Sequence, residues 1–128
     1  MPSIFQYKSI RGRLAPLITI GIRLEGLWYP IEVYVDSGAV YTLLRAQIAD
    51  GIGFEYRSGE QIYFQVGDGS FIPAYLHDLE LQIGTEQFST KIGFSDKLGI
   101  GFNLLGRAGV FERFKICFQE NRHIMTFE

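Results

Sequence analysis

Tyr29-Pro30-Ile31-Glu32-Val33-Tyr34-Val35 runs directly into Asp36-Ser37-Gly38-Ala39, and this junction decides the fold. Ile31, Val33 and Val35 alternate with Glu32 and Tyr34, the period of two expected of a half-buried strand. An acidic residue and three small ones follow at once. Asp, Ser and Gly each favour a sharp turn, so a polar loop should cap the end of a buried strand. An Asp-Ser-Gly tripeptide is a weak signal alone, because an ordinary turn has the same composition.

Upstream, Leu17 to Leu24 is rich in β-branched and apolar residues, and Glu25-Gly26 separates it from the Tyr29 strand, giving two strands and a turn. Downstream, Leu43 to Ala49 fits either a short strand or one helical turn, and Gly51 to Gly59 reads as an irregular connection. Ile62 to Val66 and Phe71 to Leu76 flank Gly67-Asp68-Gly69-Ser70, where Asp-Gly tolerates the positive φ of a tight turn. A projecting β-hairpin is expected there. Leu79, Leu81 and Ile83 alternate with polar residues up to Gly84-Thr85, and Gln87 to Phe94 returns, which makes another hairpin. Gly99-Ile100-Gly101 reads as a flexible turn before a short apolar strand, Phe102 to Leu105. Val110 to Phe114 is the one segment expected to be helical. Lys115 to Phe118 and His123 to Phe127, separated by Glu120-Asn121, should close the chain as a terminal hairpin.

The 128 residues are 47% apolar, with eleven Phe, seven Tyr and fifteen Gly. That composition favours strands joined by tight turns and places the chain in the all-β class. Its length suits one domain, expected at 15–128, preceded by a loose N-terminal arm at 1–14 that carries Arg11 and Arg13. A net charge of −2 with scattered basic residues gives no nucleic-acid footprint. No apolar run approaches the ~18 residues of a membrane span, and Met1 to Lys8 lacks the features of a secretory signal. A soluble, cytoplasmic chain is expected. Cys117 alternates with Ile116 and Phe118 in a strand-like stretch and is expected to be a buried structural thiol.

Three features occur in order: a strand ending in Asp36-Ser37-Gly38-Ala39, a glycine-bearing hairpin at Val66 to Phe71, and Asn103-Leu104-Leu105-Gly106-Arg107 running towards a short helix. In this combination the chain from Ala15 to Glu128 resembles the retropepsins, the single-lobed, retroviral-type aspartic proteases. The resemblance implies a closed, Greek-key-like acid-protease half-barrel with a flap hairpin and one short C-terminal helix. It implies an aspartic endopeptidase with Asp36 as the catalytic residue and no cofactor or metal. Ser37, Gly38 and Ala39 would support the active-site loop, with the Ser37 hydroxyl bonding across a dimer axis. Val66, Gly67, Asp68 and Gly69 would form the flap over substrate. Tyr34, Val40, Leu43 and Leu104 match positions that line side-chain pockets, although core packing explains Tyr34, Leu43 and Leu104 equally well. In retroviral relatives the arginine matching Arg107 pairs with an acidic residue just after the catalytic motif, and here that position is Val40.

Peptide hydrolysis without a metal or covalent nucleophile requires a base to deprotonate water and an acid to protonate the carbonyl oxygen, and two carboxylates sharing one proton do both. Only one Asp-Ser/Thr-Gly is present, so the second carboxylate has to come from a second copy across a two-fold axis. A homodimer cutting extended peptides is therefore expected, with a bell-shaped rate profile on the acidic side of neutrality. The alternative of another class is a non-catalytic dimeric peptide-binding or assembly module that keeps the groove. His77 and His123 lack partners at metal-ligand spacing. No nucleophile elbow supports a Ser37, His77, Asp78 triad, and no phosphate loop is present.

Overall fold

The computed structural model describes residues 2–99 and 101–128. In chain order the strands are β1 (Ser3–Gln6), β2 (Lys8–Ile10), β3 (Arg13–Ala15), β4 (Leu17–Leu24), β5 (Leu27–Val35), β6 (Thr42–Arg45), β7 (Glu60–Gln65), β8 (Phe71–Ile83), β9 (Glu86–Ser95), β10 (Asn103–Leu105), β11 (Ile116–Gln119) and β12 (Ile124–Phe127). Helix α1 (Ala46–Ile52) follows β6 directly, and short 3-10 turns occupy Tyr56–Ser58 and Glu120–Arg122.

The main sheet has the order β4-β5-β10-β6-β9-β8-β7, and a further pairing of β4 with β8 closes it into a barrel with β7 left outside. The alternation in the sequence explains the closure. Ile18, Ile20, Ile22 and Leu24 of β4 are all buried, and they meet Val33, Val35, Leu81, Ile83, Ile92, Phe94 and Leu105 in one core. Each such side chain contributes roughly 1.5–3 kcal/mol on leaving water, which fixes the register because a one-residue slip would turn the whole set outward. The β4–β5 turn at Glu25-Gly26 has positive φ at both residues, 52° and 79°, the conformation that matches the twist of a two-residue hairpin.

β10 runs parallel to β5 and antiparallel to β6, with Leu104 beside Tyr34 on one side and Leu43 on the other. Asn103 locks this arrangement from the side. Its Oδ1 accepts the Arg45 N–H at 2.9 Å and its Nδ2 donates to the Glu32 carbonyl at 2.9 Å, so one buried amide ties β6 and β5 across β10.

Several sequence expectations change. Phe71 to Leu76 and Leu79 to Ile83 are one continuous strand, β8, which pairs with β7 through its first half and with β9 from Tyr75 onward. Residues expected to form a loose arm are paired: β1 lies against β12 with Ile4 opposite Thr126, and β2 and β3 form a small hairpin. Phe5 meets Phe127 edge-on at 5.3 Å between ring centroids, and Phe127 also meets Phe114 at 5.4 Å, so the arm is held by aromatic burial as well as by its ladder.

The α-helix lies at Ala46–Ile52, burying Ala46 and Ala49, and it stops at Gly53, whose φ of 85° lets its N–H bond back to Ala49. Val110 to Phe114 instead makes two successive turns, with Phe111 N–H bonding to Arg107 and Phe114 N–H to Val110. That is helical bonding too short to propagate. Cys117 is half-buried on β11 rather than enclosed, because β11 is the outer strand of the sheet β1-β12-β11. The turn expected at Gly99-Ile100-Gly101 falls partly outside the described residues. Among the described residues, no helix is long and apolar enough to cross a membrane.

Candidate active site

The carboxyl end of β5 opens into the loop from Asp36 to Tyr41, and main-chain bonds to β10 and the segment after it hold that loop. The Asp36 N–H donates to the Leu105 carbonyl at 3.0 Å, continuing the parallel pairing by one residue. The Ala39 carbonyl accepts from Arg107 N–H at 2.9 Å and the Val40 carbonyl from Ala108 N–H at 2.7 Å. Between them, the Gly106 N–H donates to the buried Thr42 hydroxyl at 3.1 Å. A methyl group at Gly106 would run into the Tyr41 carbonyl, so the close approach of the two segments requires glycine there.

Within the loop, Asp36 Oδ1 accepts the Gly38 N–H at 2.8 Å, an Asx-type turn. This bond fixes the carboxylate's orientation without a charged partner. Asp36 is half-buried, while Ser37 and Gly38 beside it are exposed. A methyl group on Gly38 would stand 3.2 Å from Asp36 Oδ1, close enough to press on the carboxylate.

Asp36, Gly38, Ala39 and Val40 line one side of a cleft of about 680 Å³, within the usual size of a ligand site. The tip of the β7–β8 hairpin lines the same cleft through Phe64, Gln65, Val66, Gly67, Asp68, Ser70 and Ile72. Its turn is tightly made. Val66 N–H bonds to the Ser70 carbonyl and Gly69 N–H to the Val66 carbonyl, each at 2.9 Å, and Gly69 has the positive φ, 88°, that its position demands. Asp68 Oδ1 accepts both the Ser70 N–H at 2.9 Å and the Ser70 hydroxyl at 2.5 Å. These two bonds, the hydroxyl first, hold the Asp68 carboxyl below its ordinary pKa.

No family model and no curated protein sequence matches the chain. Solved structures do. A retropepsin-like aspartic protease from Rickettsia conorii superposes with a TM-score of 0.67 over 99% of this chain and 90% of its own, at 20% sequence identity. The EIAV protease complexed with the inhibitor HBY-793 superposes with a TM-score of 0.56 over 78% of this chain and 88% of its own, at 17% identity. The fold is retropepsin-like.

On this retropepsin-like barrel the residues singled out from sequence are distributed as follows. Asp36, Gly38, Ala39, Val40, Leu43, Val66, Gly67, Asp68 and Leu104 share the cleft, whereas Ser37 and Gly69 lie outside its lining. Tyr34 also lies outside it. Tyr34, Leu104 and Leu43 form a row across β5, β10 and β6, but the Tyr34 ring turns to stack on Phe102, 5.0 Å away and tilted by 20°. Arg107 is exposed and pairs with no carboxylate among the described residues. Backbone bonds from Arg107 and Ala108 to Ala39 and Val40 brace the loop in this chain.

Tyr41, Lys97, Leu98 and Gly99 also line the cleft and were not singled out from sequence. Tyr41 lies two residues after the Asp36-Ser37-Gly38-Ala39 motif, which is a local signal. Lys97 to Gly99 reach the cleft only because β9 runs parallel to β6, a long-range relationship that no short pattern encodes.

Proposed function

We propose that the chain is one half of a homodimeric aspartic endopeptidase in which Asp36 of each protomer supplies one of two catalytic carboxylates. Asp36 carries the proposal: its carboxylate is oriented by Gly38 N–H at 2.8 Å and lines an apolar-walled cleft together with a projecting hairpin tip. The likeness to a retropepsin-like protease and to a retroviral protease supports the same conclusion at the level of the fold.

An extended peptide lies in the cleft as an added strand. At the two-fold axis one Asp36 is ionised and the other protonated, because two carboxylates in contact cannot both ionise cheaply. The ionised group takes a proton from a water whose oxygen attacks the scissile carbonyl carbon. The protonated group gives its proton to the carbonyl oxygen. The resulting tetrahedral gem-diol then collapses: the protonated Asp36 gives its proton to the nitrogen as the C–N bond breaks, the other Asp36 takes a proton from a gem-diol hydroxyl, and a carboxylic acid and an amine leave with no acyl-enzyme and one proton again on the pair. The β7–β8 tip acts as the flap that excludes water during this sequence, and the exposed Ser37 hydroxyl bonds across the axis to steady the paired loops.

Asp36→Asn tests the chemistry. Incubation of the wild-type chain with a diverse peptide mixture, read by mass spectrometry, should give cleavage that a statine-type transition-state mimic suppresses. Asp36→Asn should give none, while sedimentation still detects a dimer. Cleavage by the variant at the wild-type rate, or none by a wild-type dimer, would refute the proposal. Tight peptide binding without cleavage would identify a binding module instead.

A further inference from the structure

Three charged side chains line the cleft: Asp36, Asp68 and Lys97. Their circumstances differ. Asp36 has the bond to Gly38, and Asp68 is held at the hairpin tip by both donors of Ser70. Lys97 has no carboxylate within ion-pair distance among the described residues, whereas Lys8, Lys91 and Lys115 each have one. The neighbour that would neutralise it most easily, Asp96, is engaged by Arg57 at 3.6 Å.

The position of Lys97 is nonetheless built. Its backbone N–H donates to Ser95 Oγ at 3.1 Å, and the same hydroxyl donates to the Pro73 carbonyl at 2.7 Å. Ser95 is 1% exposed, so a buried hydroxyl fastens the start of the Lys97 segment to the hairpin strand β8. The walls of the cleft that Lys97 lines are largely apolar, including Leu43, Phe64, Val66, Ile72 and Leu104. A cation beside such walls gains most from an anion that arrives with the ligand, since a charge-assisted hydrogen bond strengthens as water is displaced. Lys97 and Asp68 are both exposed, so water and salt screen both charges, but the Asp68 carboxylate is already engaged by the Ser70 N–H and hydroxyl, which leaves Lys97 as the cleft charge open to a ligand's carboxylate.

We propose that the cleft selects peptides bearing an Asp or Glu side chain, which Lys97 holds as a salt bridge. The link to cleavage rests on the peptidase reading above. Under that reading Lys97 occurs twice, related by the two-fold axis, so the acidic preference falls at equal distances on both sides of the cut bond.

The test uses full-length protein and matched peptides differing only in Glu, Gln or Lys at single positions. Binding is measured on Asp36→Asn by fluorescence anisotropy and cleavage on the wild-type chain. At one position on each side of the bond, Glu should exceed Gln by about threefold in both affinity and kcat/KM, the scale of an exposed ion pair. Lys97→Met should bring the Glu-to-Gln ratio to about one, and Lys97→Glu should turn the preference towards Lys. Cleavage with equal rates for Glu and Gln at every position overturns acid selection and leaves the peptidase intact. Acid-selective binding to Asp36→Asn with no cleavage by the wild-type chain supports acid selection and removes the peptidase. Lys peptides preferred by the wild-type chain would assign the selecting charge to Asp68 and overturn the role of Lys97.

Discussion

Thr42 and Gly106 stand 64 positions apart in the chain, yet the buried Thr42 hydroxyl accepts the Gly106 N–H at 3.1 Å. This bond joins the loop that carries Asp36 to the segment following β10, at the place where a glycine permits the closest approach. Thr42→Val keeps the shape and removes the acceptor, leaving the Gly106 N–H buried without a partner. Such a loss costs about 1–3 kcal/mol. Urea denaturation should show the midpoint falling with an unchanged slope, and peptide cleavage should fall with the looser positioning of Asp36. A Thr42→Val protein as stable as wild type would mean that the loop is braced by its backbone bonds alone.

The strands that lead into the Asp36 loop were legible in the sequence, because Leu17 to Leu24 is rich in β-branched and apolar residues, Ile31, Val33 and Val35 alternate with polar neighbours, and Glu25-Gly26 separates the two. The Asp36 turn was legible for the same reason, being small polar residues at the end of an apolar strand. Helix α1 was harder to read: Arg45 at its start offers no side-chain cap, and only Gly53 marks its end. The expected strands stopped at Leu76 and resumed at Leu79, but β8 runs through His77 and Asp78, which pair with Ile92 and Lys91 of β9; Pro73 lies where β8 pairs with β7 alone, a position that tolerates proline. The arm became ordered through β12, a partner more than a hundred residues away that only tertiary pairing reveals. The presence of Lys97 in the cleft was hidden in the same way. Local chemistry was readable, and convergence of distant segments was not.

The seam between the arm and the C-terminal strands makes a prediction in alkali. Tyr7 is buried, its N–H bonds to the His123 carbonyl at 2.8 Å, and its hydroxyl donates to Glu120 at 3.0 Å. Burial first, and then the bond to Glu120, push its pKa from 10.0 up to about 12. The folded state therefore binds the phenolic proton more tightly than the unfolded chain. Stability from this group is fully present below pH 10 and is lost as pH rises through about 12, a change of about 3 kcal/mol. Tyr7→Phe should be less stable by about 1 kcal/mol at neutral pH but free of this alkaline loss. The two stability curves, followed by denaturation against pH, should converge or cross between pH 10 and 12; parallel curves would exclude the linkage.

The hairpin tip makes the opposite prediction in acid. Because Ser70 holds the Asp68 carboxyl below its ordinary value of 3.8, the tip geometry is favoured above that pH and weakens as pH falls through the lowered value. The tip thus stays formed across the mildly acidic range in which a shared-proton carboxylate pair works. Ser70→Ala removes the larger of the two bonds, and NMR titration should find the Asp68 carboxyl moved back up towards 3.8 with faster amide exchange at Gly67 and Gly69. An unmoved titration would leave the backbone bond as the main cause.

If each active site needs Asp36 from two chains, an inactive copy poisons an active one. Asp36→Asn removes one carboxylate while changing neither the size nor the shape of the loop, so it should exchange freely into dimers. After equal amounts of wild-type and variant protein have exchanged completely, about one quarter of the dimers hold both carboxylates, given random two-fold pairing. Peptide cleavage per dimer should therefore fall to about a quarter of that of the wild-type protein at the same total concentration. A chain acting alone would retain half. Dilution discriminates independently: specific activity should decline as the dimer dissociates, whereas a self-sufficient protomer would keep it constant at every concentration.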